Sequence, residues 1–201
     1  MRTCYIIGAG DFYGSITRGE CDLVIAADGG YDALCERGIK CDLIIGDMDS
    51  VKAVPSGVEL LRHKVEKDET DMHLAYLEGK RRGYKNFVIL GGVGGRADHT
   101  FANYCLLSYI ESDGNKALLY GNGYVAYCVK NVTRVEGEIG KTVSVFAFGG
   151  EAKGVTLKGL YYPLAAATLT PSFPLGVSNK LKETSAVISV EEGTLLVIQE
   201  I

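Results

Sequence analysis

The sequence predicts an N-terminal, open, mostly parallel α/β domain followed by a small all-β sandwich domain. Three observations carry that prediction. Short β-rich apolar runs alternate with helix-like segments over the first 120 residues. Those runs are apolar on both faces, as buried strands of a parallel sheet are. After about residue 122 no helical period remains, and short strands follow one another between turn residues.

Each element has a local reason. "TCYIIG" (3 to 8) and "DLVIAA" (22 to 27) read as the first two strands, with a helix over about 30 to 37. "DLIIG" (42 to 46) is the third strand, and a helix covers about 69 to 82. "FVILGG" (87 to 92) is followed by a helix over 98 to 111, where Phe101, Cys105, Leu106 and Tyr109 recur at helical spacing. "ALLYG" (117 to 121) closes the series. Alternating strands and helices imply right-handed crossovers and an open α/β sheet. The character changes at "YGNGY" (120 to 124), which sets domains at 1–122 and 123–201. The second contains "YVAYCV", "TVSVFAF", "GVTLKG", "AVISV" and "TLLVIQ", separated by Gly, Asn and Glu-Gly. About 80 residues make a marginal core, so this unit should pack on the first domain or on another subunit.

Composition excludes several classes. The 201 residues are 47% apolar and carry a net charge of −4 with no basic stretch, against a nucleic-acid partner. No apolar run approaches the roughly 20 residues of a membrane span, and "CYIIGAG" lacks the basic lead of a signal peptide. Six scattered cysteines form no C-x-x-C pair, which disfavours zinc and fits a reducing cytoplasm.

The acids are the informative feature. In an open α/β sheet, ligands bind beyond the carboxyl ends of the strands. Asp28 follows "LVIAA", Asp47 and Asp49 follow "LIIG", and Asp98 follows "VILGG" through a glycine-rich loop. Asp68 and Asp71 open the helix at 69 to 82. Singly, each has a plain reading. Asp68 caps the helix and Asp71 favours its dipole by about 0.3–1 kcal/mol. Asp47 and Asp49 make Asx turns, and Asp28 starts the turn at Gly29-Gly30. Together they repel unless a cation sits among them. Oxygen ligands with little His or Cys nearby suit Mg²⁺ rather than zinc. "GGVGGR" (91 to 96) then lets backbone amides approach a polyphosphate, with Arg96 to bind it bidentately. It is neither a Walker loop nor a G-x-G-x-x-G fingerprint. The residues alone support a Mg²⁺-dependent enzyme acting on a nucleotide polyphosphate.

"AADGG", "IIGDMDS", "KDETDMHLA", "GGVGGRADHTFANYCLL", "YPL" and "GVSN" resemble, in order and spacing, the thiamine pyrophosphokinase family. The resemblance spans essentially the whole chain. It implies an ATP-binding α/β catalytic domain, a thiamine-binding β-sandwich and a homodimer. The implied reaction, that of a thiamine diphosphokinase, transfers pyrophosphate from ATP to the thiamine hydroxyl and releases AMP. Carried over residue by residue, Asp47, Asp49, Asp71 and Asp98 hold Mg²⁺ and the polyphosphate, supported by Asp68 and Thr70. Gly94, Gly95 and Arg96 face the phosphates, and Asp28 lies against the nucleotide. Asp71 would also accept the hydroxyl proton, although a metal-bound carboxylate is a poor base. His99 either reaches a phosphate or caps and packs beside its helix. Ser178 and Asn179 would hydrogen-bond the aminopyrimidine; without the resemblance they read as a loop turn.

The chain departs from the family in two places. It has no Trp to lie against the substrate; Phe173, Tyr161 and Tyr162 are the substitutes, though core packing is the plainer reading of each. Glu66 stands where the family usually has Asp. Two alternatives stay open: a pyrophosphokinase for another hydroxymethyl acceptor such as a pterin, and a non-catalytic nucleotide or thiamine sensor.

Overall fold

A computed structural model describes residues 2–46, 57–62 and 68–201. Contacts divide the chain into two compact units, residues 1–106 with 114–122, and 107–113 with 123–201. The architecture is mixed α/β with a parallel sheet and a separate antiparallel unit.

The first unit holds strands β1 (Thr3–Ile7), β2 (Leu23–Ala27), β3 (Leu43–Gly46), β4 (Glu59–Arg62), β5 (Asn86–Leu90) and β6 (Lys116–Gly121). All their pairings are parallel, in the order β6-β5-β1-β2-β3-β4. β2 and β3 are buried at every residue, as strands covered on both faces must be. Their side chains alternate between two layers. Tyr5, Ile7, Val24, Ala26 and Ile44 pack with Leu34 of helix α1 (Gly30–Glu36). Helix α2 (Asp71–Arg81) touches β1, β2 and β3 and buries Met72, Ala75 and Tyr76. Tyr76 meets Phe87 of β5 edge-on at 4.9 Å, a contact worth about 0.5–1.5 kcal/mol beyond burial. α1 starts so close to β1 that a Cβ on Gly30 would stand 2.0 Å from the Ile7 carbonyl oxygen. Only glycine is tolerated there.

β4 was not expected: "ELLR" is short, charged at both ends and exposed there, as an edge strand is. α3 (Ala97–Ser112) forms where its period predicts, but the buried face differs. Leu106, Leu107 and Ile110 are buried with Asn103, whereas Phe101, Cys105 and Tyr109 form an exposed stripe. Spacing identifies a helix without saying which of its apolar stripes meets the sheet. No described helix is long and apolar enough to cross a membrane.

The second unit contains two antiparallel sheets. One has the order β12-β9-β14-β7, formed by β7 (Tyr124–Val129), β9 (Thr142–Ala147), β12 (Gly176–Lys180) and β14 (Leu195–Glu200). The other has the order β11-β10-β13-β8, formed by β8 (Val132–Glu136), β10 (Ala152–Lys158), β11 (Leu164–Leu169) and β13 (Ser185–Ser189). Val143, Val145, Leu195 and Val197 from the first meet Val135, Val155, Leu157 and Ile188 from the second in one apolar core. β8, β11 and β12 escape the sequence for local reasons. β8 carries Thr and Arg between its valines and ends on Glu, and β11 is rich in alanine, a poor strand former. β12 reads as a turn because it holds Gly, Ser and Asn, and its pairing with β9 shifts register between Gly176 and Asn179.

Candidate active site

The strand order creates a switch point. From β1 the chain builds outward through β2, β3 and β4, then returns to place β5 on the other side of β1. Connections that leave in opposite directions open a crevice at the carboxyl ends of β1 and β5. A cavity of about 430 Å³ lies there. Its floor is made by Gly8, Ala9 and Gly10 after β1, and by Gly91, Gly92, Gly94 and Gly95 after β5. The two loops touch backbone to backbone. A Cβ on Gly91, whose φ is +65°, would stand 2.3 Å from the Gly8 carbonyl oxygen. The walls are Ala27 and Asp28 beyond β2, Glu69 to Met72 at the start of α2, Arg96 before α3, and His99, Thr100, Ala102 and Asn103 on α3.

Asp28, Thr70, Asp71, Gly94, Gly95, Arg96 and His99 therefore meet at one cavity. Asp28 is held unusually. Its φ of +46° is left-handed, rare for a residue with a side chain, and its N–H donates to Ile45 O at 2.8 Å. Its Oδ1 is buried without a hydrogen-bond partner, a costly state that a bound donor or cation would relieve. Strain and an unsatisfied oxygen on one residue make it a candidate binding position. Thr70 is the N-cap of α2, its hydroxyl accepting from His73 N–H at 3.2 Å. That corrects the reading of Asp68 as the cap: Asp68 is exposed ahead of the helix and does not line the cavity. Asp71 occupies the first helical turn, beside the positive end of the dipole.

Asp98 does not line the cavity either, but is tied to a residue that does. Its carboxylate accepts two bonds from Arg96, 3.1 Å from Nε and 2.5 Å from Nη2, and one from His99 N–H at 3.0 Å. The Arg96 bonds hold its pKa below the usual carboxylate range and push that of Arg96 up. Asp47, Asp49 and Glu66 lie outside the described residues. Among the described residues no three Asp, Glu, His or Cys side chains converge as a metal-binding group. Those that reach the cavity as carboxylates, Asp28, Glu69 and Asp71, are oxygen donors of the class Mg²⁺ prefers.

Ser178 and Asn179 sit on β12, not in a turn. Ser178 is exposed with a left-handed φ of +58°, and its N–H donates to Ser144 Oγ at 3.0 Å. Asn179 is only 2% exposed, and its amide is committed: Nδ2 donates to Tyr162 O at 2.7 Å and Oδ1 accepts from Tyr162 N–H at 3.0 Å. Tyr161, Tyr162 and Phe173 are exposed, against the expectation that they join the core. The sequence reading overlooked the Gly8–Gly10 loop, Thr100 and Asn103. "GAG" directly after a buried strand was the available signal for the first. Nothing local announces Asn103, whose role depends on which face of α3 turns inward.

Fold and cavity together define an open α/β unit with a cavity at the carboxyl edge of its sheet, followed in the chain by a β-sandwich unit. The profile described as "Thiamin pyrophosphokinase, catalytic domain" matches residues 17–119, and that described as "Thiamin pyrophosphokinase, vitamin B1 binding domain" matches residues 131–195. The chain belongs to the thiamin pyrophosphokinase family. Thiamine pyrophosphokinase of Bacillus subtilis (strain 168) is 28% identical over 188 residues, 88% of this chain and 86% of the relative. A crystal structure of thiamine pyrophosphokinase from Bacillus subtilis superposes with a TM-score of 0.88 at 27% identity, covering 98% of each chain. One of a thiamin pyrophosphokinase family protein from Enterococcus faecalis shares the fold, with a TM-score of 0.86 at 24% identity, covering 100% of this chain and 99% of the other.

Proposed function

We propose that this chain transfers the terminal pyrophosphoryl group of ATP to the hydroxyl of thiamine, giving thiamine pyrophosphate and AMP, with Mg²⁺ as the cation. The carrying observation is the order of the two matched domains, catalytic then vitamin-binding, with the acids that line the cavity inside the first. Residues 1–122 would be the ATP-binding catalytic domain and 123–201 the thiamine-binding domain. Six free thiols suit a reducing cytoplasm, and a homodimer is the assembly we expect.

In this reaction the thiamine oxygen bonds to the β-phosphorus of ATP and the bond from that phosphorus to the α-phosphate bridging oxygen breaks. AMP leaves with the electron pair, and the hydroxyl proton passes to a carboxylate, Asp71 in our assignment. Such chemistry needs in-line positioning and charge neutralisation more than covalent help. Asp71 and Asp98, with Asp47 and Asp49, are the residues we assign to Mg²⁺, which when bound neutralises phosphate charge. Arg96 keeps donors beyond the two that hold Asp98, so its guanidinium can meet a phosphate without releasing the carboxylate. Gly94 and Gly95 bring backbone amides to the same anion, and His99 stands beside them. Asp28 offers its unpartnered oxygen to the nucleotide or a metal-bound water. Thr70 supports this shell by capping the start of α2.

Ser178, exposed on β12, is the proposed contact to the aminopyrimidine. The Asn179 side chain instead serves by holding Tyr162. The test is to incubate the protein with ATP, Mg²⁺ and thiamine and separate the products. AMP with thiamine pyrophosphate supports the assignment. ADP with thiamine monophosphate means a different kinase, and turnover only with a pterin alcohol moves the acceptor.

A further inference from the structure

The backbone carbonyls from Leu90 to Gly94 are all engaged by donors. Gly8 N–H donates to Leu90 O, Gly10 N–H to Gly91 O and Asp11 N–H to Val93 O, each at 2.8 Å. The remaining two are taken by α3. Asn103 Nδ2 donates to Gly92 O at 2.7 Å, and Thr100 Oγ1 donates to Gly94 O at 3.4 Å. By contrast, the N–H groups of Gly94 and Gly95, two residues of the cavity lining, donate to no described residue. This division has an electrostatic consequence. A free carbonyl oxygen facing a polyphosphate repels it, whereas a free N–H attracts it. Hydrogen-bonding the carbonyls from Leu90 to Gly94 leaves the amides of Gly94 and Gly95 as the polar groups this stretch offers an anion.

We infer that Asn103 is a positioning residue for the polyphosphate, acting through the Gly92 carbonyl to hold the loop with its amides available to the anion. This rests on the nucleotide assignment above. Asn103 is 6% exposed, and its bond to Gly92 O is short and buried. No other described donor reaches that carbonyl. Removing it would leave the Gly92 oxygen unsatisfied and loosen the loop at that point, between the bonds to Gly91 O and Val93 O that remain, a loss felt by the phosphates first. Thr100 has the same role more weakly, since its bond is longer and its hydroxyl is shared with Arg96 O at 3.2 Å.

The test is calorimetric titration of the full chain, in Mg²⁺, with ATP and separately with inorganic tripolyphosphate, for wild type and Asn103→Leu. Both affinities should fall by a common factor of about tenfold or more, the range of one buried hydrogen bond lost. The KM for thiamine should move by less than about twofold, which general damage to the fold would not spare. A folded Asn103→Leu that binds tripolyphosphate as wild type does overturns the inference. So does a loss confined to ATP, because the residue would then act on the nucleoside. If Asn103→Leu loses cooperative unfolding, Thr100→Val decides: a shared loss of about threefold supports the inference and none overturns it. Wild-type protein that binds neither polyphosphate sinks the nucleotide assignment itself, and this inference with it.

Discussion

The carboxyl edge of the parallel sheet and strand β12 of the sandwich use polar groups in opposite ways. At the sheet edge, glycines position the backbone, and Asp28 keeps an unpartnered oxygen beside amides that donate to nothing described. On β12, polar groups are consumed internally: Asn179 spends both ends of its amide on Tyr162, and Ser178 N–H is taken by Ser144. The first arrangement leaves strain and unsatisfied atoms that a ligand completes. The second builds a rigid rim around exposed side chains. Chemistry on a polyphosphate requires the former, because charge must be met by groups not already neutralised. Recognition of a flat ring tolerates the latter, because its donors and acceptors need only be well placed.

The largest expected effect tests the sheet edge. Asp71→Asn should lower kcat by about 10²–10³-fold with the melting temperature little changed; wild-type turnover would remove Asp71 from the site. Asp28 sharpens the contrast further. Asp28→Asn should weaken ATP binding by about tenfold, the scale of a hydrogen bond to a charged group. Asp28→Gly should weaken it similarly while holding or raising stability by up to ~1 kcal/mol in urea unfolding, since glycine relieves the left-handed backbone. A clear loss of stability in Asp28→Gly would mean the carboxylate is structural.

The committed edge should respond differently. Ser178→Ala should raise the KM for thiamine several-fold, about the effect of one lost neutral hydrogen bond, and that for ATP far less; equal effects would break the division of labour. Asn179→Ala should cost stability, about 1–3 kcal/mol, because the backbone of Tyr162 loses both partners.

The smallest effect lies away from both edges. Glu78 on α2 accepts from Arg81 and Arg82, and the Arg81 bonds above all lower its pKa from 4.5 to about 2. A depressed carboxylate stabilises the fold above its unfolded pKa and loses that contribution as pH falls. Glu78→Gln should therefore be less stable by about 1 kcal/mol at pH 7, allowing for the exposed Arg81. The difference should fade between pH 4.5 and 2 in urea titrations; a constant gap would show that charge is not the cause.

Much of this was legible before any fold was known. Buried parallel strands announce themselves because both faces are apolar, so β1, β2, β3 and β5 and the acids behind them could be read directly. Asp28 and Asp71 do reach one cavity, as the edge rule anticipates, together with Gly94, Gly95, Arg96 and His99. Asp68, ahead of α2, and Asp98, in the first turn of α3, do not line it, because position along the chain does not dictate which way a side chain turns. The bulged strand β12 was hidden, since a register shift erases the alternation by which strands are recognised.

Local pattern alone determined the class of the first domain, the change to all-β structure after residue 122, and an acid-rich, glycine-rich edge, because these follow from side-chain period and turn chemistry. Tertiary structure alone decided which stripe of α3 is buried, that Asn103 and Thr100 reach back to the loop after β5, and that Asn179 is bound to Tyr162. Those outcomes depend on how one element packs against the next, whose geometry no local period encodes.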